Sequence, residues 1–181
     1  MLDLKSKIAV KILGYYFLNP QAKKYLSELG RILESDVGNL DKKIKELEKD
    51  GILASEFSGR QKYYFLNKRY PFLGEIKKIY ETSYGLKEKL SASLRNLKEL
   101  KEAYIFGSYA RGDFSAESDI DILLIGSHSS IEAKRLLFEL QKHLQREFNI
   151  VDFTEKEYAR RKKNKDEFIE NIFEGKIIKI I

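Results

Sequence analysis

The stretch that most constrains the fold of this chain is residues 104–126, YIFGSYARGDFSAESDIDILLIG. An apolar run ends at Gly107-Ser108, a polar loop follows, and Asp119 and Asp121 lead into a second apolar run at 122–125. The two runs predict two strands joined by a short helix and a loop. Because side chains at i and i+2 of a strand point to the same face, the two aspartates are expected side by side.

These residue types indicate a site for a cation and a phosphate. Two carboxylates on one face repel each other unless a cation lies between them, and hard oxygen ligands suit Mg²⁺. Gly107 has no Cβ and lets the backbone approach a ligand closely. Ser108 opens a short helix whose first N–H groups can bind phosphate. Arg111 suits either of two roles, a contact with phosphate or a salt bridge that braces the turn.

This block resembles the DNA polymerase beta superfamily of nucleotidyltransferases, and within it the small, antitoxin-like minimal nucleotidyltransferases. The resemblance covers about residues 103–181 and implies a third carboxylate on a neighbouring strand, which Asp152 in the apolar run 149–153 is expected to supply. It implies that Asp119, Asp121 and Asp152 bind two Mg²⁺ ions. It also implies that Gly107, Ser108 and Arg111 hold the phosphates of a nucleoside triphosphate, and ATP is the expected nucleotide.

The function implied by this resemblance is transfer of a nucleoside monophosphate, AMP by preference, to an acceptor hydroxyl. Small members of the family are typically paired with a HEPN-type RNase toxin, which they modify, so such a protein is the implied partner. An alternative is a transcriptional regulator in which the same domain senses nucleotide without turnover. A third is a protein-interaction module with neither activity.

The N-terminal part predicts three helices and a hairpin. The helices are expected at 4–18, at 22–33 and from Ser35-Asp36 to Asp50, and the strands at 52–57 and 62–66. With EKDGILASEFSGRQKYYFLN at 48–67, this layout resembles the winged helix-turn-helix of ArsR- and MarR-like regulators. The resemblance implies contacts to double-stranded DNA from six residues: Asn39, Lys42, Lys43 and Lys45 on the third helix, and Arg60 and Lys62 on the wing. The same fold also serves as a protein–protein or dimerisation module.

Charge is distributed unevenly along the chain. Residues 1–74 hold 14 Lys/Arg against 9 Asp/Glu, whereas residues 103–155 hold 5 against 9. A basic N-terminal half suits a polyanion and an acidic island suits a divalent cation, although ordinary solvated surface gives the same numbers. The basic run at 160–163 is read as a solvated helix face, with a nucleic-acid or acidic-partner contact as the alternative.

The predicted fold class is α+β: an N-terminal winged helix-turn-helix and a C-terminal nucleotidyltransferase-fold α/β domain with a small mixed sheet. The expected domains are 1–71 and 102–181, joined by a helical linker at 72–101. Leucines at helical spacing between Leu86 and Leu97 suit core packing or a homodimer contact. The chain has no cysteine, no secretory h-region and no apolar run of about 18 residues. We therefore expect a cytoplasmic protein without a membrane span.

Overall fold

The first helix, α1 (Lys7–Leu18), begins at Ser6, whose hydroxyl accepts the backbone N–H of Ala9. The structure is a computed structural model and describes residues 6–115 and 118–181. The start of the predicted helix, at residues 4 and 5, therefore lies outside the described residues. β1 (Lys24–Tyr25), α2 (Leu26–Ile32) and α3 (Val37–Lys49) follow. The helix predicted from residue 22 is shorter because Lys24 and Tyr25 pair with a later strand instead.

The predicted hairpin is confirmed, with β2 (Leu53–Ser58) antiparallel to β3 (Gln61–Leu66). β1 pairs with the other edge of β3, so the strand order is β1-β3-β2. α3 buries Leu40, Ile44 and Leu47, which recur at helical spacing, against the core of this unit. In that core the hydroxyl of Tyr16 donates to the Tyr64 carbonyl at 2.7 Å, and burial raises the pKa of Tyr16 far above its usual value.

Two helices follow, α4 (Leu73–Tyr84) and α5 (Leu86–Leu94), and Gly85 separates them. The chain divides into two compact units at this glycine: residues 1–85 with 143–145, and residues 86–142 with 146–181. The leucines of α5 are buried within the chain, as is Leu97. Core packing therefore accounts for this leucine series. No helix in the described ranges is both long and apolar enough to cross a membrane.

The second unit contains a four-stranded mixed sheet with strand order β6-β5-β4-β7. Its elements are β4 (Leu100–Phe106), α6 (Gly107–Arg111), β5 (Ile120–Gly126), α7 (Ser130–Leu144), β6 (Phe148–Phe153), α8 (Glu155–Lys163), α9 (Glu167–Glu174) and β7 (Ile178–Lys179). β5 and β6 are parallel, and the other neighbours are antiparallel. On one face, Leu123 and Ile125 pack with Ile169 and Ile172 of α9. The mixed α+β class with small sheets is as predicted.

Candidate active site

The candidate site lies where β4 ends and β5 and β6 begin. Asp121 is opposite Phe106 of β4 on one side and opposite Asn149 of β6 on the other. Residues that are directly paired share a face of the sheet, so these three side chains form one row across three strands. Asp119 precedes β5 by one residue and, by alternation, belongs to the same face. Asp119 is exposed and Asp121 is half-buried. Asp121 thus lies at an accessible edge of the sheet, and Asp119 directly precedes the strand that carries it.

Two features of the structure favour glycine at position 107: the backbone conformation there and the close approach of Asp121. Its φ of +69° lies in the left-handed region that side chains with a Cβ disfavour. A Cβ at this position would overlap the Asp121 carboxylate. The turn from β4 into α6 is therefore in contact with the Asp121 carboxylate, and Ser108 follows in the first turn of α6. Of the predicted phosphate-binding residues, Gly107 is therefore in contact with the predicted cation ligand Asp121.

The expectation for Asp152 needs a correction. Asp152 is on the neighbouring strand, but it pairs with Leu124, three residues beyond Asp121. An odd offset places its side chain on the opposite face of the sheet, about 10 Å further along the strand at about 3.3 Å per residue. There Asp152 Oδ1 lies 3.2 Å from Nε2 of the buried His128 ring, although neither ring nitrogen makes a well-aligned hydrogen bond. The structure does not bring Asp152 to the aspartate pair.

Asn149 occupies the place beside Asp121 where a third carboxylate was expected. Its Nδ2 donates to Asp121 Oδ1 at 2.9 Å. The position follows directly from the β5–β6 register, since Asn149 is the residue opposite Asp121. Sequence reasoning missed it because the short apolar run 149–153 does not reveal which of its residues faces the site.

Arg146 is a second residue that sequence reasoning missed. Its guanidinium donates to the Ser115 carbonyl at 3.0 Å and lies 4.5 Å from the centre of the Phe114 ring. It also approaches the Ser118 carbonyl at 3.4 Å, immediately before Asp119. Only 7% of Arg146 is exposed. Arg146 therefore holds both ends of the loop that carries Asp119, and nothing in the local sequence pattern indicated that role.

Arg111 makes an ion pair with Asp113, its Nε lying 3.3 Å from the carboxylate. Both side chains are more than half exposed, so the pair contributes about 0–1 kcal/mol. A bound anion could therefore displace Asp113 at small cost. The geometry matches the turn-bracing role, and it leaves the phosphate role open because Arg111 also lines a cavity beside Gly107.

The donor set at this edge fits one Mg²⁺ better than two. Asp119 and Asp121 supply the hard oxygen ligands that Mg²⁺ prefers, and substrate phosphates and waters ordinarily complete its shell. Across the described ranges, no three His, Cys, Asp or Glu side chains cluster in a way that could hold a metal ion. A second ion would have to use the side-chain oxygen of Asn149, whose amide now donates to Asp121.

The residues predicted to contact DNA lie in the first unit. Asn39, Lys42 and Lys45 on α3 are exposed, as is Arg60 in the hairpin turn, while Lys43 and Lys62 are half-buried. Three of the lysines have acidic partners: Lys43 pairs with Glu46, Lys45 with Asp41 at 2.6 Å, and Lys62 with Glu48 at 2.8 Å. These pairs reduce the positive charge that α3 and the wing present.

The ion pair between Lys62 and Glu48 also shifts the pKa values of both side chains. Burial tends to raise the pKa of Glu48, but hydrogen bonds from Lys62 and Ser55 outweigh it and lower that pKa below its usual value. The hydrogen bond to Glu48 raises the pKa of Lys62. The pair therefore remains ionised at neutral pH.

In the second unit a glycine turn at Gly107 lies against Asp121 on a four-stranded mixed sheet. The sequence model of the family described as "Nucleotidyltransferase domain" matches residues 87–179, just over half of the 181 residues. The chain belongs to the nucleotidyltransferase domain family.

A curated relative and two solved structures are similar to part of this chain. "Putative protein adenylyltransferase MJ0604" of Methanocaldococcus jannaschii is 44% identical over 54 residues, which are 30% of this chain and 48% of the relative. The chain thus spans about half the length of that relative. A crystal structure of a toxin–antitoxin with AMP-PNP is 31% identical, covering 37% of this chain and 56% of the other, with a TM-score of 0.34.

The second structure, a mutant of the toxin–antitoxin MntA-HpeT, is 29% identical, covering 36% of this chain and 56% of the other, with a TM-score of 0.33. Superpositions of this extent do not establish a shared fold.

Proposed function

We propose that the second unit catalyses Mg²⁺-dependent transfer of a nucleoside monophosphate, AMP from ATP, to an acceptor hydroxyl. The observation that carries this proposal is the contact between Gly107 and Asp121, which joins the phosphate turn to the aspartate pair. When bound between Asp119 and Asp121, Mg²⁺ would neutralise charge on the triphosphate oxygens. The first N–H groups of the turn and the Ser108 hydroxyl would bind the terminal phosphates.

In the proposed reaction, an acceptor oxygen forms a bond to the α-phosphorus, and the bond from that phosphorus to the bridging oxygen of pyrophosphate breaks. The acceptor proton passes to solvent water at the exposed edge beside Asp119, because Asp119 itself is a proposed Mg²⁺ ligand. Arg111, released from Asp113, adds a positive charge beside the departing phosphates. Holding donor and acceptor in line is the main contribution that such a site makes.

The proposed acceptor is a hydroxyl on a protein, because the relative that is 44% identical over 54 residues is named as a protein adenylyltransferase. The sequence resemblance narrows this to a HEPN-type toxin as the partner to test. The experiment incubates the protein with Mg²⁺ and α-labelled ATP, with and without a candidate toxin, and follows the label on a denaturing gel. Label on a protein band, absent with Asp119→Asn or Asp121→Asn, is the expected result.

Asp152→Asn is the matched control for this experiment. It removes the same charge from the same sheet but from the opposite face, so the variant is expected to keep its transfer activity. Asp152 lies beside the buried His128 ring, so its replacement can affect folding. Thermal melting of each variant checks that it is folded. Activity that survives in Asp121→Asn but not in Asp152→Asn would overturn the proposed site.

A second candidate function, a regulator that senses nucleotide without turning it over, is favoured by Asn149. An amide in place of a third carboxylate removes one ligand and one potential base from the site, while the aspartate pair can still bind a nucleotide with its cation. Asn149→Asp distinguishes the candidates. A large gain in labelling over a silent wild-type protein supports the sensor, whereas labelling by the wild-type protein that Asn149→Asp changes only modestly supports the enzyme.

We further propose that the first unit is a winged helix-turn-helix that binds double-stranded DNA through α3 and the wing. The helix order, the β1-β3-β2 sheet and the exposed side chains of Asn39, Lys42, Lys45 and Arg60 support it. Lys42→Ala with Lys43→Ala is expected to weaken binding and to reduce the slope of log affinity against log salt by up to about 2. Lys77→Ala with Lys78→Ala, on α4 of the same unit, is the control of equal charge. Equal slopes for the two double variants would reject α3 as the recognition helix.

A further inference from the structure

A cavity opens beside the phosphate turn, on the face of the sheet that carries Asp121. It has a volume of about 240 Å³ and lies between the end of β4, α6 and α9. Phe106 lines it and is the residue directly opposite Asp121 in the β4–β5 ladder, so both side chains are on the same face. Gly107, which touches the Asp121 carboxylate, also lines it. The cavity and the proposed phosphate site are therefore continuous.

The lining combines aromatic rings with groups that suit a nucleotide. Phe106 and Phe168 meet edge to face with ring centres 6.3 Å apart; both line the cavity, and Phe168 is 44% exposed to solvent. Asn171 is exposed and lines the cavity, and a side-chain amide offers both a donor and an acceptor. Arg111 and Lys176 contribute positive charge at its rim. An aromatic wall with an amide and two cations matches the needs of a flat, hydrogen-bonding ring attached to phosphates.

The cavity is large enough to hold part of a nucleotide but too small to enclose a whole one. Pockets that enclose a whole drug-sized ligand are roughly 300–1,000 Å³, and this cavity is smaller. The proposed place of the triphosphate is the turn beside Asp121, which borders the cavity at Gly107. What remains is the nucleoside, and its flat base is the part that an aromatic wall suits.

We propose that this cavity binds the base of the nucleotide donor, stacked on Phe168 and hydrogen-bonded by Asn171. This inference rests on the proposed nucleotide-binding function and adds the residues that select the base. Stacking contributes because each base presents a π-face to an aromatic ring. The amide of Asn171 can pair with the donor and acceptor edge of adenine, as asparagine does when it reads adenine in DNA.

The absence of tryptophan from the chain makes a direct test possible. Phe168→Trp places a single tryptophan in the cavity, and Phe138→Trp places one on α7, where Phe138 is 51% exposed. Each variant is titrated with ATP and with inorganic tripolyphosphate in the presence of Mg²⁺. The expected result is that ATP changes the emission from position 168, that tripolyphosphate does not, and that neither changes the emission from position 138.

A calorimetric titration of Phe168→Ala completes the test. Its affinity for ATP is expected to fall about tenfold, as for loss of one base–aromatic stack, while its affinity for tripolyphosphate is unchanged. Phe168→Tyr keeps the ring and is expected to keep the affinity, which separates stacking from general damage to α9.

The two proposals fail in different ways. ATP binding by wild-type protein that Asp121→Asn abolishes, together with unchanged emission at position 168 and unchanged affinity in Phe168→Ala, would overturn the base site alone. The cavity would then be free for an acceptor side chain. No binding of ATP or tripolyphosphate by wild-type protein would overturn the nucleotide function and the base site with it.

Discussion

Replacement of Gly107 by alanine tests the link between the phosphate turn and the aspartate pair. The backbone at this position has a φ of +69°, which costs an L-residue about 1–2 kcal/mol. Reduced freedom of the unfolded chain offsets about 0.4–1 kcal/mol of that cost. In addition, the new methyl group would overlap the Asp121 carboxylate, which is held by the Asn149 amide at 2.9 Å. Asp121 must therefore move and lose that hydrogen bond.

Gly112→Ala is the matched control because it shares the backbone cost without the collision. Gly112 ends α6 with a φ of +92°, and a Cβ there would meet no atom within 4 Å. We expect both variants to lose about 1 kcal/mol of unfolding free energy from backbone strain, with a further loss in Gly107→Ala. We expect the transfer rate to fall about 100-fold in Gly107→Ala alone, the order of effect that a misplacement of about 1 Å produces.

The measurements are urea unfolding followed by circular dichroism, and labelling from α-labelled ATP at saturating Mg²⁺. Dividing the activity of each variant by its folded fraction removes the shared stability effect. If Gly107→Ala and Gly112→Ala retain equal activity, then the contact with Asp121 does not matter for the reaction and the proposed site loses its main support.

Three further predictions concern residues that support the two units. Arg146→Met removes the donor that joins both ends of the loop before Asp119. We expect the free energy of unfolding in urea to fall by about 2–3 kcal/mol, and calorimetry to show weaker binding of Mg²⁺-ATP. Retained binding would show that other contacts hold the loop. Tyr16→Phe leaves the buried Tyr64 carbonyl without its hydroxyl donor and is expected to cost about 1–2 kcal/mol in the same unfolding assay, with no change in labelling. The pKa of Glu48 is lower in the folded protein than its usual value of 4.5. The ionised carboxylate therefore stabilises the fold fully above pH 4.5, and this stabilisation is lost as the pH falls through the folded-state pKa. Glu48→Gln should therefore unfold more easily than wild type at pH 7 and lose less stability on acidification. A constant difference across that range would contradict the role of the Lys62 bond.

Sequence periodicity was sufficient for the local elements because their causes are local. The spacing of Val37, Leu40, Ile44 and Leu47 predicts the buried face of α3; the three later residues are buried there, whereas Val37 is 45% exposed. Ser58-Gly59-Arg60-Gln61 predicts the hairpin turn. The residue types and spacing at 104–126 likewise predict a phosphate turn and an aspartate pair, each for a chemical reason of its own. The two-residue strand at Lys24 was not predictable from local sequence, because Lys24 pairs with Tyr64, 40 positions away in the chain.

The third position of the site shows what the sequence by itself determined and what only the tertiary structure decided. The sequence determined that an apolar strand would follow α7 and that it would carry Asn149 and Asp152. Register between two strands depends on the whole set of backbone hydrogen bonds and on packing of both faces, and a shift of one residue moves each side chain to the other face. That register puts Asn149 beside Asp121 and turns Asp152 towards His128. The tertiary structure therefore decided that an amide, and not a third carboxylate, completes the aspartate pair.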